Sequence, residues 1–327
     1  MLSLPDVEAA APIVYAAMPP TPQYAWPLLA RRTGCEVWVK HENHTPTGAF
    51  KVRGGLVYMD RLKRAQPALK GVISATRGNH GQSIAMAAAR AGIAATLVVP
   101  HGNSVEKNAA MQAFGATLVE AGHDFDAARQ TAERLAADQG LAMVPSFHRD
   151  LEVGVASYAL EFFRSAPALD TVYVPIGLGS GICGVIAMRN ALSPSTRVVG
   201  VVSTEAPGYA LSFAAGKVIA TNSANTFADG LAVRGPDPAA LEVILKGAER
   251  IVKVSDPEIA AAMRAYYEDT HQVAEGAGAA ALAALLQERE RMAGRRVGLI
   301  LSGGNIDRPL YLRLLASQVT PCTHASF

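Results

Sequence analysis

The stretch Thr171-Val172-Tyr173-Val174-Pro175-Ile176-Gly177-Leu178-Gly179-Ser180-Gly181 passes from a β-branched apolar run into three glycines, and a helical pattern follows over 182–192. Such a strand, glycine turn and helix is the unit from which sheets of parallel strands covered by helices are built. Glycines let backbone amides approach an anion, and a helix amino terminus adds free N–H groups and a positive dipole end. The stretch therefore predicts an α/β fold with a phosphate site where this strand ends.

The same glycine loop has two other interpretations. The spacing Gly179-x-Gly181-x-x-Gly184 also fits the fingerprint of dinucleotide-binding folds, and Glu205 lies near the end of the next predicted strand. Under that interpretation the protein is a nicotinamide-dependent oxidoreductase. Alternatively, the glycines serve only a tight turn between strand and helix. The loop alone leaves all three interpretations open.

Apolar, β-branched runs alternate with alanine-rich helical patterns along the chain, and they fall into two series. The predicted strands are 72–75, 96–99, 117–119 and 142–144 in the first series, and 171–176, 198–202, 251–254 and 297–301 in the second. At 327 residues the chain also exceeds what one hydrophobic core usually supports. We therefore predict two doubly wound parallel-sheet lobes. The large domain would comprise residues 1–54 and 151–327, and the small domain residues 55–150.

Composition narrows the class of protein. Half of the residues are hydrophobic, 18% are charged and the formal net charge is +2, a profile typical of a globular enzyme. No basic stripe indicates nucleic-acid binding, and the longest strongly apolar run, 277–286, is too short to span a membrane. The first twenty residues do not resemble a secretory signal. We therefore expect a cytoplasmic protein without nucleic-acid or membrane partners.

The cysteines and histidines do not show the spacing of a metal site. Cys35, Cys183 and Cys322 lie far apart, and no two of the eight histidines have the His-x-x-x-His spacing. We expect reduced thiols, no disulfide framework and no histidine-cysteine metal site.

One lysine stands in an unusual context. The stretch Pro46-Thr47-Gly48-Ala49-Phe50-Lys51 reads as a turn that opens into a helix. A lysine desolvated in an apolar pocket has a lowered pKa and can form a Schiff base with an aldehyde, whereas a solvated lysine stays protonated. The stretch alone is compatible with either state of Lys51.

Polar side chains follow two other predicted strands. Ser74-Ala75-Thr76-Arg77-Gly78-Asn79-His80-Gly81-Gln82 and Leu301-Ser302-Gly303-Gly304-Asn305 both lie where a strand ends, which is where open α/β sheets bind ligands. By themselves these stretches also fit an ordinary helix cap at Asn79 and a simple turn at Ser302. Glu275, at the start of a helix of small residues, is a further candidate to face the site.

Taken together, these motifs resemble the fold type II pyridoxal phosphate enzymes, which share the fold of the tryptophan synthase β-subunit. The similarity is to the threonine dehydratase and serine racemase group and covers nearly the whole chain. The motifs that carry it, in the family's order, are Lys40-x-Glu42, 46–54, 78–82, the glycine loop 177–181, Ala228-Asp229-Gly230-Leu231-Ala232 and 302–305.

The resemblance implies a role for each motif. Lys51 would hold pyridoxal 5'-phosphate as a Schiff base and take the substrate's α proton, and Phe50 would flank the ring. Asn79 would bind the ring's 3′ oxygen, and Ser302 would meet the pyridine nitrogen. The phosphate would lie on Gly177, Leu178, Gly179, Ser180 and Gly181, and the substrate carboxylate on Thr76, Arg77, Gly78, Asn79 and His80.

The implied activity is that of an ammonia-lyase. A β-hydroxy amino acid such as threonine or serine would lose its hydroxyl by α,β-elimination and yield a 2-oxo acid and ammonia, and the family analogy favours a homodimer. The alternatives are a lyase for an acidic or modified substrate, as in 3-hydroxyaspartate or hydroxyectoine breakdown, and then an amino acid racemase. A non-catalytic ligand-binding protein with this fold also stays open.

Several positions depart from the family pattern. Arg77 stands where dehydratases usually carry a small residue and serine racemase carries an acid-base serine, so we hypothesise that it binds an anionic substrate group or else faces solvent. Ala49 replaces a serine, and Val202 replaces a glutamate that helps other members bind a divalent cation, so no metal is expected. The chain ends soon after Ser302, and no regulatory domain is expected.

Overall fold

The computed structural model describes residues 2–316, so Cys322 lies outside the part considered below. The strands are β1 (Gln23–Ala25), β2 (Glu36–His41), β3 (Val72–Ala75), β4 (Ala95–Val99), β5 (Thr117–Glu120), β6 (Ala142–Met143), β7 (Thr171–Pro175), β8 (Arg197–Ser203), β9 (Arg250–Val254) and β10 (Arg296–Leu301). They form a six-stranded sheet in the order β1-β2-β10-β7-β8-β9 and a four-stranded sheet in the order β5-β4-β3-β6.

Helices cover both sheets. Their bounds are α1 (Leu4–Tyr15), α2 (Pro27–Thr33), α3 (Lys51–Ala65), α4 (Asn79–Ala91), α5 (Val105–Ala113), α6 (Phe125–Gln139), α7 (Arg149–Ser165), α8 (Ser180–Leu192), α9 (Gly208–Ala215), α10 (Pro238–Gly247), α11 (Asp256–Thr270), α12 (Gly276–Gln287), α13 (Arg289–Met292) and α14 (Arg308–Ala316). Short 3₁₀ turns lie at Glu42–His44 and Asp229–Leu231.

The strands pair as the sequence pattern predicts. Every described pairing is parallel except that of β1 with β2, and all four residues of β3 are buried. Strands buried on both faces read in sequence as continuous apolar runs, which is why these runs located them. The prediction of two parallel-sheet lobes is confirmed.

The two sheets draw on different parts of the chain. Residues 23–41 and 171–301 supply the six-stranded sheet, and residues 72–143 supply the four-stranded sheet. The boundaries predicted near Gly55 and Asp150 fall inside α3 and at the start of α7. Helix α3 packs against α4 on one side and against α7 on the other, and α7 also packs against α8. The division of the chain into two domains stays a prediction.

The apolar core of the large sheet positions the site. Helix α12, rich in alanine and glycine, is buried along nearly its whole length and packs against β7 and β10. The N–H of Glu275, just before this helix, donates to the carbonyl of Gly303 at 3.1 Å. The start of α12 is thereby held beside the turn that follows β10. Between residues 2 and 316, no helix combines the length and the apolar character that a membrane crossing requires.

Candidate active site

The turn before Lys51 is attached to the segment that follows β10. The Phe50 N–H donates to the Ser302 carbonyl at 3.0 Å, and the Gly304 N–H donates to the Gly48 carbonyl at 2.9 Å. Between these bonds, Ala49 and Gly303 form an isolated antiparallel bridge. Two motifs 250 positions apart in the sequence are therefore one local structure.

Lys51 lies at the first position of α3 with its amine unpaired. Its Nζ has no hydrogen-bond partner among the described residues and lies 5.5 Å from the centroid of the Phe50 ring. Burial lowers the pKa of this lysine from its ordinary value to about 8. A fraction of the amine is therefore neutral near pH 7 and can attack a carbonyl carbon.

The glycine loop lies between β7 and α8, as predicted. Helix α8 starts at Ser180, and the residue before it, Gly179, has a φ of +107° that a side chain would disfavour. Within the described chain, the N–H groups of Gly177, Leu178 and Gly179 make no hydrogen bond. Unpaired N–H groups at the start of a helix form an anion-binding site.

Two tyrosines fix the orientation of this loop. The Tyr209 hydroxyl donates to the Leu178 carbonyl at 2.7 Å, and the Tyr158 hydroxyl donates to the Gly181 carbonyl at 2.9 Å. The Phe50 ring lies against the same loop, 3.7 Å from where a Cβ on Gly181 would be. The carbonyls of Leu178 and Gly181 therefore accept hydrogen bonds from the protein, and the Lys51 turn lies beside the loop.

Asn79 is held from both sides by side chains of the large sheet's half. Its Nδ2 donates to Glu275 Oε1 at 2.6 Å, and its Oδ1 accepts from Asn305 Nδ2 at 2.9 Å. Asn305 Nδ2 also donates to the Thr47 carbonyl at 2.7 Å. The Asn79 side chain makes no helix-capping hydrogen bond, so the simple cap interpretation is not supported. The Lys51, Asn79 and Ser302 motifs are thus joined by one hydrogen-bond network.

The remaining candidate residues lie on the loop between β3 and α4 or at the end of β10. Thr76 is buried, and its Oγ1 accepts from the N–H groups of Gly78 and Gly81 at 3.0 and 2.9 Å. His80 is 9% exposed, its Nε2 has no partner, and burial together with the Lys51 charge lowers its pKa to about 3. It is therefore neutral at physiological pH. The Ser302 side chain is 4% exposed beside the Lys51 turn.

Arg77 is the exposed member of this loop. Its guanidinium makes no hydrogen bond or ion pair with any residue between positions 2 and 316. The side chain is therefore free both to bind an anion and to remain in solvent.

A buried ionic network lies behind the Lys51 turn. Arg53, which is fully buried, binds Glu42 Oε2 at 2.7 Å and Glu161 Oε1 at 2.6 Å, and Lys40 Nζ binds Glu161 Oε2 at 2.6 Å. The two cations and two carboxylates compensate one another, which buried charges require. This network fixes the start of α3 against β2 and α7.

Sequence reasoning missed several of these residues. Glu161, Tyr158 and Tyr209 had no motif around them, and Lys107 received no role. A signal for the ionic network existed, because Lys40 and Glu42 interrupt an otherwise apolar strand end where unpaired charges would be costly. Between residues 2 and 316, no group of three or more His, Cys, Asp or Glu side chains is placed to hold a metal ion.

Comparison with known proteins identifies the family. Residues 14–303 match the sequence model described as "Pyridoxal-phosphate dependent enzyme". The chain belongs to this family. Its cofactor is pyridoxal phosphate, and the nicotinamide interpretation of the glycine loop is thereby replaced.

Relatives of this pyridoxal-phosphate dependent enzyme are similar to it over most of its chain. L-threonine ammonia-lyase of Thermotoga maritima is 32% identical over 96% of this chain and 78% of the relative. L-threo-3-hydroxyaspartate ammonia-lyase of Saccharomyces cerevisiae is 31% identical over 91% of each.

Solved structures of this family have the same fold. The processed form of threonine deaminase isoform 2 from Solanum lycopersicum superposes with a TM-score of 0.90 at 29% identity, covering 96% of this chain and 92% of that one. Maize serine racemase superposes with a TM-score of 0.89 at 27% identity, covering 95% and 96%. The prediction of the pyridoxal phosphate fold type II architecture is confirmed.

Proposed function

We propose that this enzyme is a pyridoxal phosphate-dependent ammonia-lyase that converts a β-hydroxy amino acid such as threonine or serine into a 2-oxo acid and ammonia. One observation carries the proposal: the unpaired amine of Lys51, with its lowered pKa, lies where the glycine loop, the Asn79 loop and the Ser302 turn meet. The relatives named threonine ammonia-lyase and threonine deaminase support it.

The residues at this site fit the cofactor. A lysine of lowered pKa suits its aldehyde, and the unpaired N–H groups of the loop 177–181 suit its phosphate. One N–H of the Asn79 amide is left for the ring's 3′ oxygen, and the Ser302 hydroxyl is left for the pyridine nitrogen. When bound, the cofactor supplies an electron sink for the negative charge that develops at the substrate's α carbon.

Lys51 would have two tasks. Its Nζ would hold the cofactor, and as a free amine the same Nζ would accept the proton from the substrate's α carbon. Burial suits both tasks, since a lysine with a pKa of about 8 is more readily neutral than a solvated one. The Phe50 ring keeps one side of the amine apolar and excludes water there.

The loop from Thr76 to His80 would hold the substrate carboxylate. The Thr76 oxygen accepts two backbone N–H groups, so its own hydroxyl proton stays available as a donor. His80 is neutral and buried with an unpaired Nε2, so it adds a polar group without adding a charge. The start of α4 supplies a favourable dipole for the carboxylate.

A second substrate class is favoured by one observation. Arg77 lies on this same loop with a free guanidinium, which suits a second carboxylate on the substrate, as in 3-hydroxyaspartate. Relatives of similar identity are named L-threo-3-hydroxyaspartate ammonia-lyase. Racemisation through Arg77 is disfavoured, because a guanidinium does not give up its proton near pH 7.

We also propose that the enzyme works as a cytoplasmic homodimer. The family resemblance supports the dimer, and the free, buried thiols of Cys35 and Cys183 fit a reducing compartment. Light scattering on the purified protein measures the oligomeric state. A mass twice that of the chain is expected, and a monomer would contradict the proposed dimer.

A substrate panel tests the proposed activity. Purified enzyme given threonine, serine or 3-hydroxyaspartate should release a 2-oxo acid and ammonia from at least one of them. Lys51→Ala should lower the rate by about a thousandfold or more, because it removes both the cofactor link and the proton acceptor. Lys217→Ala, at an exposed lysine, is the matched control and should keep the wild-type rate. An enzyme inactive on all three substrates, or an active Lys51→Ala variant, would contradict the proposal.

A further inference from the structure

Lys107 is a buried lysine that reaches from the half of the four-stranded sheet into the candidate site. It lies on α5 and is only 5% exposed. Its Nζ lies 2.5 Å from Asp229 Oδ2 and 3.3 Å from Glu275 Oε2, both supplied by the other half. Burying a charged lysine side chain costs free energy, and the two carboxylates offset that cost by pairing with it. A buried cation at this place can act on the side chains around it.

Glu275 connects Lys107 to Asn79. The carboxylate is 2% exposed, and while one oxygen faces Lys107, the other accepts the hydrogen bond from Asn79 Nδ2 at 2.6 Å. A carboxylate that loses its charge carries a proton on one oxygen and becomes a donor there. The hydrogen bond to Asn79 is therefore strongest while Glu275 is ionised.

The orientation of the Asn79 amide follows from its neighbours. Asn305 Nδ2 donates to the Thr47 carbonyl at 2.7 Å, which identifies this atom as the nitrogen. The Asn79 atom at 2.9 Å from it must therefore be the acceptor, Oδ1, and the nitrogen of Asn79 must face Glu275. Of the two N–H groups on that nitrogen, one is engaged by Glu275 and the other is left for a ligand.

We infer that Lys107 is a positioning residue for the cofactor ring, because its ammonium supplies the charge against which the Glu275 carboxylate orients the Asn79 amide. The inference rests on the proposed contact between Asn79 and the cofactor. It assigns Lys107 no contact with substrate or cofactor. Its effect passes through two other side chains.

The charges around Glu275 support this inference. Burial raises the pKa of Glu275, the Lys107 ammonium lowers it, and the Asp229 carboxylate raises it again, with a net pKa of about 7. Among the described residues, the groups that face Glu275 are thus Lys107 from α5, Asp229 from its 3₁₀ turn and the neutral amide of Asn79. Without Lys107, burial and Asp229 would act unopposed, and Glu275 would be protonated at neutral pH.

The position of α5 makes this charge depend on how the two halves meet. Ser104 Oγ donates to Asp307 Oδ1 at 2.5 Å, and the Arg308 N–H donates to Glu106 Oε1 at 2.9 Å, so the start of α5 is held on the segment after β10. A displacement of α5 would carry Lys107 away from Glu275. The position of the four-stranded sheet and its helices is therefore coupled to the orientation of the Asn79 amide.

Binding of pyridoxal phosphate to the apoenzyme tests the inference without relying on turnover. Lys107→Met should weaken binding about tenfold, because a charge-assisted hydrogen bond is lost behind Asn79. Lys107→Arg should keep wild-type affinity. Glu275→Gln removes the negative charge behind Asn79 while keeping an oxygen acceptor, so Lys107→Met in that background should change the affinity by less than about threefold.

The double variant separates positioning from a purely structural role. If Lys107 only ties the two halves together, Lys107→Met should cost the same tenfold in the Glu275→Gln background. That result would overturn the inference, as would wild-type affinity in the Lys107→Met single variant. If the Lys107→Met single variant does not fold, the pyridoxal phosphate affinities of Glu275→Gln and of the double variant are compared instead. Equal affinities are expected, and a tenfold weaker affinity of the double variant would overturn the inference.

The Asn79→Ala variant distinguishes an error in the role given to Lys107 from an error in the proposed cofactor contact of Asn79. Asn79→Ala should weaken pyridoxal phosphate binding by at least as much as Lys107→Met. Unchanged binding in Asn79→Ala would refute the proposed contact between Asn79 and the cofactor. Weak binding in Asn79→Ala with normal binding in Lys107→Met would refute only the role of Lys107.

Discussion

Three lysines that are buried or partly buried show how surroundings decide what a lysine does. Lys40 is paired with Glu161, and Lys107 with Asp229 and Glu275. Lys51 faces no carboxylate among the described residues, and burial alone lowers its pKa to about 8. Burial alone lowers the pKa of a lysine, and neighbouring carboxylates, which Lys40 and Lys107 have and Lys51 lacks, oppose that effect by favouring the charged form. The same side chain therefore serves as a paired cation at two positions, and at the third it has the properties that the proposed role as a nucleophile requires.

Arg77 is the residue on which substrate choice is predicted to depend. If its guanidinium binds a second carboxylate, Arg77→Ala should lower kcat/KM for 3-hydroxyaspartate by about ten- to a hundredfold and leave serine nearly unchanged. Arg77→Lys keeps the charge but not the paired donors, so an intermediate loss is expected. Steady-state kinetics on the two substrates measure the difference. Equal effects of Arg77→Ala on both substrates would contradict the assignment.

The candidate site lies where the carboxyl ends of strands from two sheets meet. The glycine loop and the Ser302 turn follow the neighbouring strands β7 and β10 of the six-stranded sheet, and the Asn79 loop follows β3 of the four-stranded sheet. Parallel sheets bind ligands at the carboxyl ends of their strands. The sequence could locate these strands, because each is a run of buried apolar residues. It did not locate β1, since three partly exposed residues carry no pattern.

Gly177 lies close to the backbone of Gly230, so a substitution there tests whether the glycine loop binds the phosphate. A Cβ at this position would lie 2.4 Å from the Gly230 carbonyl oxygen, so Gly177→Ala must push one of the two loops aside. We expect at least tenfold weaker binding of pyridoxal phosphate, measured by titration of the apoenzyme. Gly235→Ala is the matched control, since its Cβ would meet nothing closer than 3.8 Å. Equal affinity of the two variants would argue against a phosphate at this loop.

In the whole molecule, the candidate site forms where the part of the chain around the six-stranded sheet meets the part around the four-stranded sheet. The sequence does not show which side chains meet at that junction. Lys107 lies 168 positions from Glu275, and Lys40 lies 121 positions from Glu161. Tyr158 and Tyr209 stand in helical patterns where a tyrosine reads as core. Motifs at the strand ends predicted which loops bind the cofactor, but the side chains that orient those loops are recognisable only in the folded structure.

The proposed function depends above all on Lys51 carrying the cofactor. Borohydride reduction of the holoenzyme makes the bond between the cofactor and its lysine permanent, and mass spectrometry of a proteolytic digest then locates the modified residue. The pyridoxyl group is expected on the peptide that contains Lys51. A group found on any other lysine, or a digest with no modified lysine, would contradict it.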